Sequence, residues 1–142
     1  MRGVALNYID TFIQVAADCP VTIGVVPVAK GTSKPAQVIE YELLSENPYK
    51  YTQEDLIFEV YVRHKSVPSE DLKARGAEIR AELFQKPHPC LRASLLPKKY
   101  GWGVHFNTEG KIALYGMETE EYRNFIRSES LKLLTAFRNK RG

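Results

Sequence analysis

The chain has 142 residues, 44% hydrophobic and 26% charged, enough to bury a core but too few for several ordinary domains, so one compact domain over 1–142 is expected. That composition excludes a disordered chain. No stretch approaches the ~18 apolar residues of a membrane span, and the N-terminus lacks the basic, apolar, small-residue order of a signal peptide. A cytoplasmic protein with no membrane partner is therefore expected. The net charge of +3 falls short of the basic excess of a domain devoted to nucleic acid, but it is unevenly placed. Residues 1–85 carry nine Lys and Arg against twelve Asp and Glu, and residues 86–142 carry eleven against five. The basic groups gather at Arg92, Lys98 and Lys99, and again at Arg138, Lys140 and Arg141, where a solvated helix end accounts for them.

In chain order, Thr11 to Ala16 is rich in strand formers and ends at Asp18-Cys19-Pro20, because the residue before a proline is pushed out of the helical region. Val21 to Val28 is a second β-like run that Gly24 and Pro27 demote to an edge or irregular segment. Ser33 and Pro35 open a short amphipathic helix carrying Val38, Ile39 and Leu43, which Asn47-Pro48 stops. Thr52-Gln53-Glu54-Asp55 resembles a capping box and is expected to make one helical turn, with Leu56 to Val62 following as a buried strand. The stripe Leu72, Ile79, Leu83 and Phe84 predicts a helix over 68–85. Two short strands flanking Asn107-Thr108-Glu109-Gly110 predict a hairpin over 104–115. Thr119 caps a last helix reaching 138, which Ser128-Glu129-Ser130 could divide. The expected fold is α+β: a mostly antiparallel sheet of about four or five strands, with the 35–45, 68–85 and 119–138 helices on one face.

Chemistry-bearing motifs are few. Cys19 and Cys90 lie far apart in a chain without a secretory signal, so both are expected to be reduced, and at least one mostly buried. His88-Pro89-Cys90 has no second ligand pair at zinc spacing, and His64 and His105 are scattered, so no metal and no cofactor are expected. The acidic pairs Glu54-Asp55, Glu70-Asp71 and Glu120-Glu121 each sit at a helix start, where the helix dipole explains them without catalysis. A Cys90–His105 nucleophile pair would require their strands to lie side by side. The segment from Arg92 to His105 is the distinctive one. Arg92, Lys98 and Lys99 supply charge, Tyr100, Trp102 and His105 supply flat rings, and Gly101 and Gly103 let the backbone approach something closely. These six side chains are the ligand-binding candidates. The same spacing also suits a Trp102 that fills the core, and the expectation is that Trp102 lies largely buried beneath the hairpin with the basic residues exposed at its rim.

The runs Cys90-Leu-Arg-Ala-Ser94, Lys98-Lys-Tyr-Gly-Trp-Gly-Val-His105 and Gly110-Lys-Ile-Ala-Leu-Tyr115, preceded by Asp18-Cys19-Pro20 and Asn47-Pro-Tyr-Lys-Tyr-Thr52, resemble a family of uncharacterised short bacterial proteins of unknown function. The resemblance covers nearly the whole chain and departs at Leu95-Leu96-Pro97, where a Ser-Pro-Leu order is more usual. The Tyr-Gly-Trp-Gly hairpin is more distantly similar to small α+β domains that bind ligands or partners on an open sheet. The resemblance transfers no activity. The expected function is a non-enzymatic cytoplasmic binding module for a small anionic or aromatic ligand or a partner chain. Nucleic-acid binding and cysteine-dependent catalysis are the alternatives, separable by a steep salt dependence and by thiol reactivity.

Overall fold

The computed structural model describes residues 8–139. Four strands, β1 (Thr11–Gln14), β2 (Trp102–Phe106), β3 (Ile112–Gly116) and β4 (Lys132–Thr135), form one mixed sheet in the order β3-β2-β1-β4. β1 runs antiparallel to β2, with Ile13 opposite Val104, and parallel to β4, with Ile13 opposite Leu134. The helices are α1 (Ala36–Glu46), α2 (Gln53–His64), α3 (Ser69–Leu83), the short α4 (Leu95–Lys99) and α5 (Glu120–Arg127), and a 3₁₀ turn, Leu91–Ala93, precedes α4. The α+β reading with a four-stranded, mostly antiparallel sheet is what the structure has.

Alternation along the strands divides the side chains between two faces. Ile13, Val104, Phe106 and Ile112 point to the face on which Ile39, Leu43 and Leu44 of α1 and Leu56 of α2 complete the main core. Phe12, in register with His105, points to the other face, where Tyr122 and Phe125 of α5 pack against its ring at 5.1 and 4.9 Å. The last helix thus covers the face opposite α1, not the same face. It covers that face because Phe12, fully buried, alternates away from Ile13 and needs its own apolar lid.

The hairpin forms as expected, one or two residues longer at its open end. The Asn107 side-chain oxygen accepts from the amides of Glu109 and Lys111, and Gly110 takes φ +79° to close the loop. The strand expected over Leu56–Val62 is instead the body of α2. Thr52 and Asp55 form a reciprocal capping box, and Arg80 of α3 pairs with Asp55 at 2.9 Å and lies over the Phe58 ring. A satisfied cap and packing on both sides outweigh β propensity, which spans only about 1 kcal/mol per residue. The helix expected to run to 138 stops at Arg127. The Ser128 hydroxyl accepts from the Ser130 amide, and the chain then extends as β4 along the free side of β1. Arg138 is therefore exposed beyond a strand, not at a helix end, while Lys140 and Arg141 lie outside the described residues. The apolar stripe of α3 is only half-buried, because this helix packs as an outer layer and kinks at Arg75. Residues 21–28 are irregular, as Gly24 and Pro27 foretold.

Candidate functional site

The six candidate side chains divide among three places. Arg92, in the 3₁₀ turn, faces β4. Its Nε donates to the Thr135 carbonyl at 2.8 Å, its own carbonyl accepts from the Phe137 amide, and its guanidinium lies 4.5 Å from the Phe137 ring. These bonds occupy the outer rim of β4 at Thr135 and Phe137, so Arg92 serves as the guard of an edge strand that would otherwise offer open backbone groups. It is not the free surface charge that the sequence suggested. Lys98 and Lys99 end α4, where their charges complement the helix dipole. Tyr100, just beyond, accepts the Val25 amide on its carbonyl.

Trp102 is half-buried between the Tyr41 ring, 5.3 Å away, and Gly24, and its Nε1–H donates to the Val25 carbonyl at 2.8 Å. Residues 21–26 are thereby strapped over the tryptophan. Gly101 (φ +80°) lies so close to the Ile23 backbone that no side chain fits, and Gly103 admits the Phe12 and Tyr122 rings. Both glycines do permit close approach, by the protein's own segments.

His105 points to the opposite face from the core, stacked on Phe125 at 4.3 Å. Its Nδ1 and the Tyr115 hydroxyl each lie 2.8 Å from the Tyr49 hydroxyl. Burial lowers the His105 pKa, opposed by Asp10, and raises that of Tyr49, with the hydrogen bond to Tyr115 acting in the same direction. Tyr49 itself has φ +60°, a left-handed conformation that a non-glycine residue keeps only where its surroundings impose it. Cys90 lies on the core side instead, its Sγ accepting from the hydroxyl of Tyr8, whose ring packs on Phe106. Cys90 and His105 therefore do not meet. Cys19 and Cys90 are both free, as expected, and both are only partly exposed.

A different group of residues shapes a cavity. Between α1, α2 and residues 89–95 lies a half-enclosed space of about 280 Å³, walled by Leu56, Ile57, Leu91 and Leu95, with Glu40 and Cys90 also in its lining. Glu40 is half-buried: protein surrounds most of its carboxyl group, and Oε2 stays open to the cavity. Oε1 accepts from the Ser94 hydroxyl at 2.8 Å, and that hydroxyl in turn accepts from the Leu96 amide. Oε2 has no hydrogen-bond partner among the described residues. No Lys, Arg or His lines this space. Gln53, fully buried, holds the floor by accepting the Leu91 amide at 2.8 Å. A second, apolar chamber of about 270 Å³ adjoins it through Ala36, Glu40, Ile57 and Pro89.

Burial raises the Glu40 pKa to about 7, with the Ser94 hydrogen bond opposing. This has a definite thermodynamic sign. The folded carboxyl keeps its proton up to about pH 7, while the unfolded one releases it near 4.5. In that interval the native state binds more protons, so its contribution to stability falls as pH rises and levels off above about 7. Glu40→Gln, which keeps the shape and removes the ionisation, is expected to exceed the wild type by roughly 2–3 kcal/mol at pH 8 and to match it near pH 4.5. Urea denaturation at the two pH values checks this, and an unchanged difference between them would contradict it.

The sequence reading passed over Glu40 and Ser94. The signal was present: Glu40 sits four residues after Ala36 and three and four before Leu43 and Leu44, an acid inside the apolar face of α1.

The chain belongs to a family of unknown function, DUF6157, whose model matches residues 4–142. No curated protein and no solved structure matches it. No helix among the described residues is long and apolar enough to cross a membrane.

Proposed function

We propose that the protein is a non-enzymatic binding module that holds a small ligand in the cavity between α1, α2 and residues 89–95, and that it works in the cytoplasm of a bacterial cell. One observation carries the binding reading: a largely apolar space containing a mostly enclosed carboxyl group with one oxygen unused by the protein. Binding sites commonly combine apolar walls with one or two well-placed polar groups, and about 280 Å³ lies at the small end of their range. The apolar walls favour an aromatic or alicyclic body. The cytoplasmic placement rests on the two free cysteines, and the bacterial one on the resemblance of the Lys98–His105 and Asn47–Thr52 runs. Catalysis by Cys90 gains no support, since its hydrogen-bond partner is a tyrosine hydroxyl and no histidine lines its cavity.

A screen of small ring-containing fragments by amide chemical shifts tests this reading. Fragments are expected to move Gln37, Leu91 and Ala93 together, and to slow alkylation of Cys90 relative to Cys19. Shifts confined to the hairpin, or none at all, would overturn it.

A further inference from the structure

We infer that the ligand of this cavity is a small primary amine, bound as its ammonium ion with the nitrogen at Glu40 and the hydrocarbon body against Leu56, Ile57, Leu91 and Leu95. The inference rests on the cavity reading above and adds the chemical class.

No cation among the described residues pairs with the Glu40 carboxyl, and several are engaged elsewhere. Lys34 pairs with Glu42 at 3.0 Å, Arg80 with Asp55 and Glu54, and Arg92 with the Thr135 carbonyl. His64, Lys65 and His88 line the adjoining chamber, but none forms an ion pair with Glu40, and the His88 Nε2 lies 2.7 Å from the Leu83 carbonyl. Hydrogen-bond polarity points the same way. Ser94 spends its one hydroxyl proton on Glu40 Oε1, and the Cys90 sulfur already accepts from Tyr8. What remains at Glu40 is Oε2, which above about pH 7 is an ionised acceptor in surroundings where a charge is poorly solvated. A ligand that brings both positive charge and N–H donors satisfies it, because an unpaired buried charge costs far more than a paired one. A neutral alcohol brings one donor and no charge. A carboxylate sets two like charges together where the dielectric is low, which excludes the anionic ligand that the sequence had suggested from this particular cavity.

Three isosteric probes test the class: benzylammonium, benzyl alcohol and benzoate, each titrated at pH 7.5 into isotopically labelled protein while the amides of Gln37, Leu91 and Ala93 are followed. Benzylammonium is expected to bind at least about tenfold more tightly than the alcohol, with benzoate weakest, since a charge-assisted contact is worth more than a neutral one. In Glu40→Gln the preference for the ammonium should vanish while the alcohol binds within about twofold of its wild-type affinity, a difference that uniform damage to the fold could not produce. Equal binding of ammonium and alcohol in the wild type, or an ammonium affinity indifferent to Glu40→Gln, would overturn the amine assignment and leave the cavity reading standing. Silence from all three probes while other fragments still bind would overturn the amine assignment as well. Silence from every fragment would remove the cavity reading with it.

Discussion

Replacing Gly103 with alanine is expected to cost about 3 kcal/mol of stability, the upper part of the usual range for overpacking a core. A Cβ at this position would overlap the Phe12 Cζ and stand 2.6 Å from the Tyr122 Cε2. Neither ring can yield cheaply. Phe12 is fully buried, meets Tyr122 edge-on and is stacked on Phe125, so moving it disturbs the whole contact between β1 and α5. Tyr122 is held as well, since its hydroxyl accepts from the Val15 amide at 2.9 Å. The methyl group must therefore push α5 away from the sheet or twist β2. Chemical denaturation measures the loss, and near-UV circular dichroism reports the loosened rings. A loss below about 1 kcal/mol would mean that this face repacks freely, against the geometry described.

For Trp102→Ala the expected loss is roughly 2–4 kcal/mol, somewhat below the value for a fully buried aromatic because the indole is half-exposed. Two contributions combine. The ring leaves a gap between Tyr41 and Gly24, and the Val25 carbonyl loses the indole N–H it accepts. The second loss reaches beyond the site, because the Val25 amide also donates to Tyr100. Hydrogen exchange at Val25 should accelerate markedly in the variant. Lys98→Ala/Lys99→Ala is the comparison: neither side chain makes an ion pair among the described residues, and the double change should stay within about 0.5 kcal/mol per site. Equally large losses in both variants would show that α4, and not the indole, organises this corner.

The same residues explain how far sequence reasoning reached. The hairpin was legible because Asn107 and Gly110 encode their turn locally, with the side-chain oxygen and the positive φ both visible in residue type. α1 was legible through Pro35 and Asn47 at its ends. α2 was misread because its β-branched residues describe only local preference, while the partners that pack on the helix, α1 and Arg80, 25 residues beyond the Asp55 it pairs with, are not local. β4 was misread for a related reason: Leu133 and Leu134 suit a helix stripe or a strand, and the deciding partner is β1, near the other end of the chain. The candidate site fared likewise. Trp102 and its glycines were correctly identified as places of close approach, but what approaches is residues 21–26. The cavity went unseen because its carboxyl and its hydroxyl come from α1 and the start of α4, 54 residues apart, and each has an ordinary local reading.

The position of β1 has a consequence for the order in which the molecule can be assembled. It is an interior strand made early, yet its neighbours are encoded about 90 and about 120 residues later. A chain emerging from its N-terminal side can form α1 and α2 from local contacts, but Phe12 and Ile13 have nothing to pair with until the hairpin follows, and β1 keeps an open side until β4 is complete. Closing a loop of that length carries an entropic cost that no local contact repays in advance. During synthesis the Thr11–Ala16 run is thus an unpaired apolar strand for most of the time taken to make the chain, the condition under which strands find the wrong partners. The last pairing made, β4 on β1, is the one that ends this exposure.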